Sequence, residues 1–184
     1  MRDHTDNIDK PDCAGHYFSH NRKIYKPRLL KICMTIDGVI TKTLETHVDD
    51  RGSFLEVFKP DEMDLIIKQS SFSETNPGII KAFHYHELQT DVWFFPNGHV
   101  RVALYDGREN SNTRGEKQQI ILNEQNRAIV VIPPGVLHGY QVLGNRPAQI
   151  LYYTTKEYDP ERPDEYRRPF NDPEIGFNWY IKNR

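Results

Sequence analysis

From Ile36 onward the chain is a succession of short runs rich in Val, Ile, Phe, Tyr and Thr, each closed by Gly, Pro, Asn or Asp. Runs of that length and composition read as strands, and the punctuation supplies the turns. The candidates are GVITKTLETHV, SFLEVF, IIKQSSFS, IIKAFHYH, DVWFFPN, HVRVALYDG, QQIILN, AIVVIPP, GYQVLG and AQILYYTT. Several alternate apolar and polar residues, as strands with one face in a core do. Helix signals are weak: only DEMDLIIK offers a turn or a short helix. Many short strands at regular spacing leave a β-sandwich or a small barrel.

The flanks differ. Residues 1–26 are polar, without a periodic apolar face, and are expected to be a flexible arm. Residues 27–184 are long enough for a single domain with a sizeable core. The last segment, KEYDPERPDEYRRPFNDPEIGFNWYIKNR, holds four prolines and many charges, which prevent a long regular element. Its Tyr158, Tyr166, Phe170, Phe177 and Trp179 are apolar anchors for a wrap over the sheets.

Charge and cysteine content narrow the function. The formal net charge is −2 with both signs mixed, so nothing favours a nucleic acid partner. No apolar run is long enough to cross a bilayer and the N-terminus lacks a signal-peptide core, which makes the cytoplasm the expected location. Cys13 and Cys33 form no CxxC pair and are expected as reduced thiols, without thiol-redox or zinc-finger chemistry.

The chemistry concentrates in GIIKAFHYHELQTDVWFFPNG, residues 78–98. On a strand, His84 and His86 point to the same side and Tyr85 to the other. Asp91 comes from the next strand, and His138 follows the turn of IPPGVLHGY. One histidine on a strand is ordinarily a hydrogen-bonded core or surface residue. Three with a carboxylate make a site for zinc, iron, manganese or nickel. His4, His16, His20, His47 and His99 are expected in solvent. Trp93, Phe94 and Phe95 are expected mainly in the core, although such rings also stack on bases and sugars. YDGRENS, residues 105–111, is expected as a solvated turn.

The spacing resembles the cupin superfamily motif G-x5-H-x-H-x3-4-E-x6-G, with Gly78, His84, His86 and Gly98 in register and Asp91 in the place of Glu. In the second motif, P-x-G-x2-H-x3-N, Pro133, Gly135 and His138 match and Val142 replaces Asn. DDRGSFLEVF, KQSSFS, GIIKAFHYH, IPPGVLHGY, ILYYTTKEYDP and FNDPEIGFNW then occur in an order that resembles the dTDP-4-dehydrorhamnose 3,5-epimerase family, from about Ile36 to Trp179. The resemblance implies an all-β, cupin-type jelly-roll barrel, a homodimer and no required cofactor. It implies epimerisation of a nucleotide-linked 4-keto-6-deoxy sugar by proton removal next to the ketone. On it, His84 is the base, Asp172 its carboxylate partner and Tyr158 the acid. His138 lines the pocket, Arg51, Glu56 and Gln69 contact the nucleotide, and Lys81 replaces an arginine that contacts the sugar or diphosphate.

Two departures occur together. Asp91 stands where the resembled family carries a lysine in a G-K-L-V pattern, and His86 stands where it carries glutamine. Both move the site towards metal ligation. Three readings stay open: a metal-free epimerase or isomerase, a metal-dependent enzyme using His84, His86, Asp91 and His138, and a non-catalytic nucleotide-sugar-binding barrel.

Overall fold

The computed structural model describes residues 36–181. The expectations for the arm 1–26, for Cys13 and Cys33 and for His4, His16 and His20 lie outside the described residues. The strands are β1 (Ile40–Thr43), β2 (His47–Asp49), β3 (Gly52–Phe54), β4 (Gln69–Thr75), β5 (Ile80–Tyr85), β6 (Asp91–Asn97), β7 (His99–Asp106), β8 (Lys117–Leu122), β9 (Ala128–Ile132), β10 (Val136–Leu143), β11 (Ala148–Thr154) and β12 (Tyr166–Arg167). Two five-stranded sheets result, ordered β1-β9-β6-β11-β4 and β12-β5-β10-β7-β8, and β2 and β3 form a separate hairpin.

This is the expected jelly-roll in an open form. Among the described residues no strand of one five-stranded sheet pairs with a strand of the other, so the barrel is a sandwich with free edges rather than a closed cylinder. Alternation assigns the faces. Trp93 and Phe95 of β6, Val100, Val102 and Leu104 of β7 and Val130 and Ile132 of β9 pack between the sheets. Val92, Phe94, Ile129 and Val131 face the other way and are covered by Leu55, Val57, Phe58, Met63, Leu65 and Ile67. The outer face of the second sheet, with Phe83, Ala103 and Leu137, is covered by Ile175, Phe177 and Trp179 of the C-terminal wrap. With both faces covered, β6 and β9 become near-continuous apolar runs.

Two segments differ from expectation. DEMDLIIK holds only part of a 3-10 turn, Pro60–Glu62. Beyond it a turn at Met63 and Asp64 leads into a stretch without regular structure, and Met63, Leu65 and Ile67 pack inward onto the sheet. The YDGRENS turn is built on a buried charge. The fully buried Asp106 carboxylate accepts from Arg108 Nε at 2.8 Å, Ser111 Oγ at 2.5 Å and Thr113 Oγ1 at 2.6 Å. Asp106→Asn is expected to cost about 1–3 kcal/mol in denaturant unfolding at pH 7, because it removes the buried anion that three half-buried donors bind. These donors hold the Asp106 pKa well below the ordinary carboxylate range even though burial pushes it up. A depressed carboxylate stabilises the fold above its unfolded pKa, near 4, and loses that contribution as pH falls further. The variant should therefore show a flatter acid limb than the parent below about pH 4.

Candidate active site

The imidazoles come from the second sheet. β5 and β10 run antiparallel with His84 directly opposite His138. Alternation brings His86, just past β5, to the same side, with ring centroids 5.8 Å from His84 and 5.5 Å from His138. His84 and His138 are closer, at 4.2 Å. Past this pair the register slips, so that Tyr140 faces Lys81. Gly139 accommodates the slip. A Cβ there would lie 2.2 Å from Ala82 Cβ and 2.6 Å from Ala82 Cα. Gly139→Ala is therefore expected to push β5 and His84 outward and to lower stability by about 2–3 kcal/mol, read by thermal or denaturant melts.

The first sheet contributes a carboxylate. Asp91 opens β6 on the same side as Trp93 and Phe95, so its side chain enters the interior. Its Oδ2 lies 3.6 Å from Nε2 of both His86 and His138. Trp93 Nε1–H donates to Oδ2 at 3.1 Å and Gln89 Nε2 to Oδ1 at 2.7 Å. His138 Nδ1 meets the Val136 carbonyl at 2.8 Å and His86 Nδ1 meets the Asp164 carbonyl. The donor atoms of His84, His86, Asp91 and His138 all lie within 4.8 Å of one another.

Electrostatics sort these groups. Burial would raise the Asp91 carboxyl, but the imidazoles of His138 and His86 overcome it and keep the group ionised. Burial pulls His86 down, and Asp91 more than reverses that. Burial and then the neighbouring His138 hold His84 well below the ordinary histidine value, so it is a neutral imidazole at physiological pH.

The cluster opens into a cleft of about 630 Å³. His84, His86 and Asp91 share its walls with Lys81, Arg167, Tyr152 and Thr154. Tyr152 did not figure among the expected site residues. On β11, Ile150 and Tyr152 pack towards the interior while Leu151 and Tyr153 pack on the outer face, so alternation through ILYYTT carried the signal. The Tyr152 hydroxyl lies near those of Tyr140 and Ser73, and Tyr140 shares a 2.7 Å hydrogen bond with Thr75 Oγ1. Burial first, and Tyr140 second, raise the Tyr152 pKa, which keeps the phenol protonated.

Other expected residues lie elsewhere. The Asp172 carboxylate is taken by Arg168 Nε at 2.7 Å and the Glu174 backbone N–H at 2.9 Å, which stabilise a turn of the wrap. No hydrogen bond joins it to His84 among the described residues, and the carboxylate beside the imidazoles is Asp91. Tyr158 follows the end of β11, where the chain turns outward, and is 62% exposed. Its backbone N–H donates to Gln69 Oε1 at 2.8 Å, and neither residue lines the cleft. Arg51 pairs with Asp49 in the β2–β3 turn and Glu56 pairs with Lys59, both outside the cleft. Trp93, Phe94 and Phe95 are all buried in the core, and His47 and His99 are exposed.

The family model described as dTDP-4-dehydrorhamnose 3,5-epimerase matches residues 33–184. The chain belongs to the dTDP-4-dehydrorhamnose 3,5-epimerase family. It is 53% identical over 150 residues, 81% of its own length and 99% of the relative's, to the spore coat polysaccharide biosynthesis protein SpsL of Bacillus subtilis. It is 28% identical over 155 residues, 80% of its length and 82% of the relative's, to the dTDP-4-dehydrorhamnose 3,5-epimerase of Methanothermobacter thermautotrophicus. A dTDP sugar isomerase structure from Desulfovibrio desulfuricans superposes with TM-score 0.72 at 30% identity, covering 78% of this chain and 92% of that one. The Legionella pneumophila dTDP-6-deoxy-D-glucose-3,5-epimerase, solved with dTDP-4-keto-L-rhamnose, gives TM-score 0.73 at 27% identity over 83% and 84% of the two chains. The family is one of cofactor-independent isomerases. No helix among the described residues is long and apolar enough to cross a membrane.

Proposed function

We propose that this chain is an isomerase that epimerises, or moves the ketone of, a dTDP-4-keto-6-deoxyhexose by removing the proton next to the ketone. One observation carries the reading: a neutral imidazole, His84, and a protonated phenol, Tyr152, line the same cleft from different sheets. His84 takes the proton from carbon, leaving an enolate. Tyr152 returns a proton to the opposite face, and the neighbouring Ser73 hydroxyl favours the phenolate that this leaves. Lys81 and Arg167 at the exposed rim supply positive charge for a diphosphate. The test is incubation with dTDP-4-keto-6-deoxyglucose in D₂O. Deuterium entering a carbon next to the ketone, seen by NMR, supports the reading; binding without any exchange replaces it with the non-catalytic nucleotide-sugar-binding barrel.

A second reading adds a divalent cation, zinc, iron, manganese or nickel, at His84, His86, Asp91 and His138. The mutual approach of their donor atoms favours it.

The same proposal makes the protein a cytoplasmic homodimer with residues 27–184 as one domain. Val48 and Phe54 on the β2–β3 hairpin, and Phe72 on the edge strand β4, are exposed apolar surface that a second copy would cover. Arg51 and Glu56 reach a nucleotide only if that copy carries them to the cleft. Light scattering should give twice the chain mass; a monomer would remove them from the site.

A further inference from the structure

We propose that His86, Asp91 and His138 alone form a three-donor centre for a divalent first-row cation, leaving His84 free as the base. The inference rests on the reading of His84 given above and divides the labour within that cluster.

The argument starts from tautomers. His138 Nδ1 lies 2.8 Å from the Val136 carbonyl oxygen, and His86 Nδ1 is held by the Asp164 carbonyl. A carbonyl oxygen only accepts, so each Nδ1 carries the hydrogen. In the neutral rings each Nε2 is then a bare lone pair. Both lone pairs lie 3.6 Å from the same oxygen, Asp91 Oδ2. That is too long for a hydrogen bond. Two lone pairs and an anionic oxygen thus share one buried space. His138 is 1% exposed and its Nε2 has no hydrogen-bond partner. Burying such an acceptor without a partner is costly. One cation placed among them takes all three donors.

The spacing also fits. A first-row ion with bonds of about 2.0–2.2 Å at tetrahedral angles holds its donors roughly 3.3–3.6 Å apart. The carboxylate oxygen lies 3.6 Å from each imidazole nitrogen, and all the donor atoms lie within 4.8 Å of one another. The surrounding groups hold the donors in place as outer partners do in metal sites: two carbonyls orient the rings, while Trp93 and Gln89 fix the carboxylate. The Trp93 contact uses one lone pair of Oδ2 and leaves the other for an ion.

His84 differs from these three. It is half-buried on the cleft wall, whereas they are buried. Neither of its ring nitrogens is held by a carbonyl or carboxylate among the described residues, unlike those of His86 and His138. It stands beside the centre, ring to ring with His138 at 4.2 Å. A cation bound by the other three would supply a Lewis-acid contact for the ketone oxygen.

The test is elemental analysis of the intact protein purified without added metal, together with Co²⁺ titration of EDTA-stripped protein followed by visible absorption. About one ion per chain is expected. His86→Gln, His138→Gln and Asp91→Asn should each weaken Co²⁺ binding at least about 100-fold, while the exposed His99→Gln should not. His84→Gln should keep Co²⁺ affinity within about threefold and still lose deuterium exchange. No metal in the purified protein and no Co²⁺ spectrum would overturn the centre, even if exchange proceeds normally and the epimerase reading stands. Loss of Co²⁺ binding in His84→Gln as severe as in His86→Gln would overturn the division of labour. The titration of unmutated protein stands apart from any variant's folding, and the metal readout survives even if no dTDP-sugar reacts.

Discussion

His84→Gln is expected to slow solvent deuterium uptake beside the substrate ketone by about a thousandfold, within the range usual for loss of a positioned base. Glutamine is of similar size and keeps a polar end, so contacts with the His138 and Trp93 rings, at 4.2 and 5.8 Å, are largely preserved. What disappears is the neutral nitrogen able to accept a proton. Burial and the neighbouring His138 keep that nitrogen unprotonated in the parent protein. The loss should fall on kcat, with KM changed by less than about threefold, because binding of the nucleotide end does not pass through this side chain. Exchange at the parent rate in the variant would remove His84 from the chemistry. A collapse of binding instead would make it a substrate contact.

Most of the architecture was legible because β periodicity is local. β6, β7, β9 and β10 announce themselves through Val, Ile and Phe runs closed by Gly, Pro and Asn, and their burial follows from those residues. The i, i+2 rule placed His84 and His86 on one side, and the turn at Pro133–Gly135 put His138 near the start of a strand, which the structure pairs with that of His84. What could not be read was competition among partners. Asp172 follows Arg168 by four residues, and a guanidinium so close in the chain captures the carboxylate before a distant imidazole can. Asp106 reads as part of a solvated turn until Arg108, Ser111 and Thr113 are seen to fold back onto it. Tyr158 and Tyr152 are both tyrosines close to the end of β11. Tyr152 lies on the strand, in a register that sets it opposite Trp93 and Thr154 opposite Asp91, whereas Tyr158 lies past its end, and alternation alone does not mark where the strand stops.

Tyr152→Phe should separate two events that the parent protein couples. With the phenol gone, His84 still removes the proton and the enolate still forms. The only proton then available comes back from His84 itself, after exchange with solvent, to the face it left. Deuterium should therefore enter unreacted substrate at a rate within about tenfold of the parent, while inverted product falls about a hundred- to a thousandfold. The two carbon configurations give different ring proton couplings, so one NMR time course reads both. Phenylalanine keeps the packing against Trp93, where the rings sit edge to face at 5.9 Å, and leaves the Tyr140–Thr75 hydrogen bond at 2.7 Å intact. The stability cost should be near 1 kcal/mol, for one lost hydroxyl. Tyr158→Phe is the matched control. Its ring is 62% exposed and outside the cleft, so inversion should continue unchanged. If Tyr158→Phe loses inversion and Tyr152→Phe keeps it, the acid reaches the sugar from the C-terminal wrap, and the cleft must close over its substrate before the second proton moves.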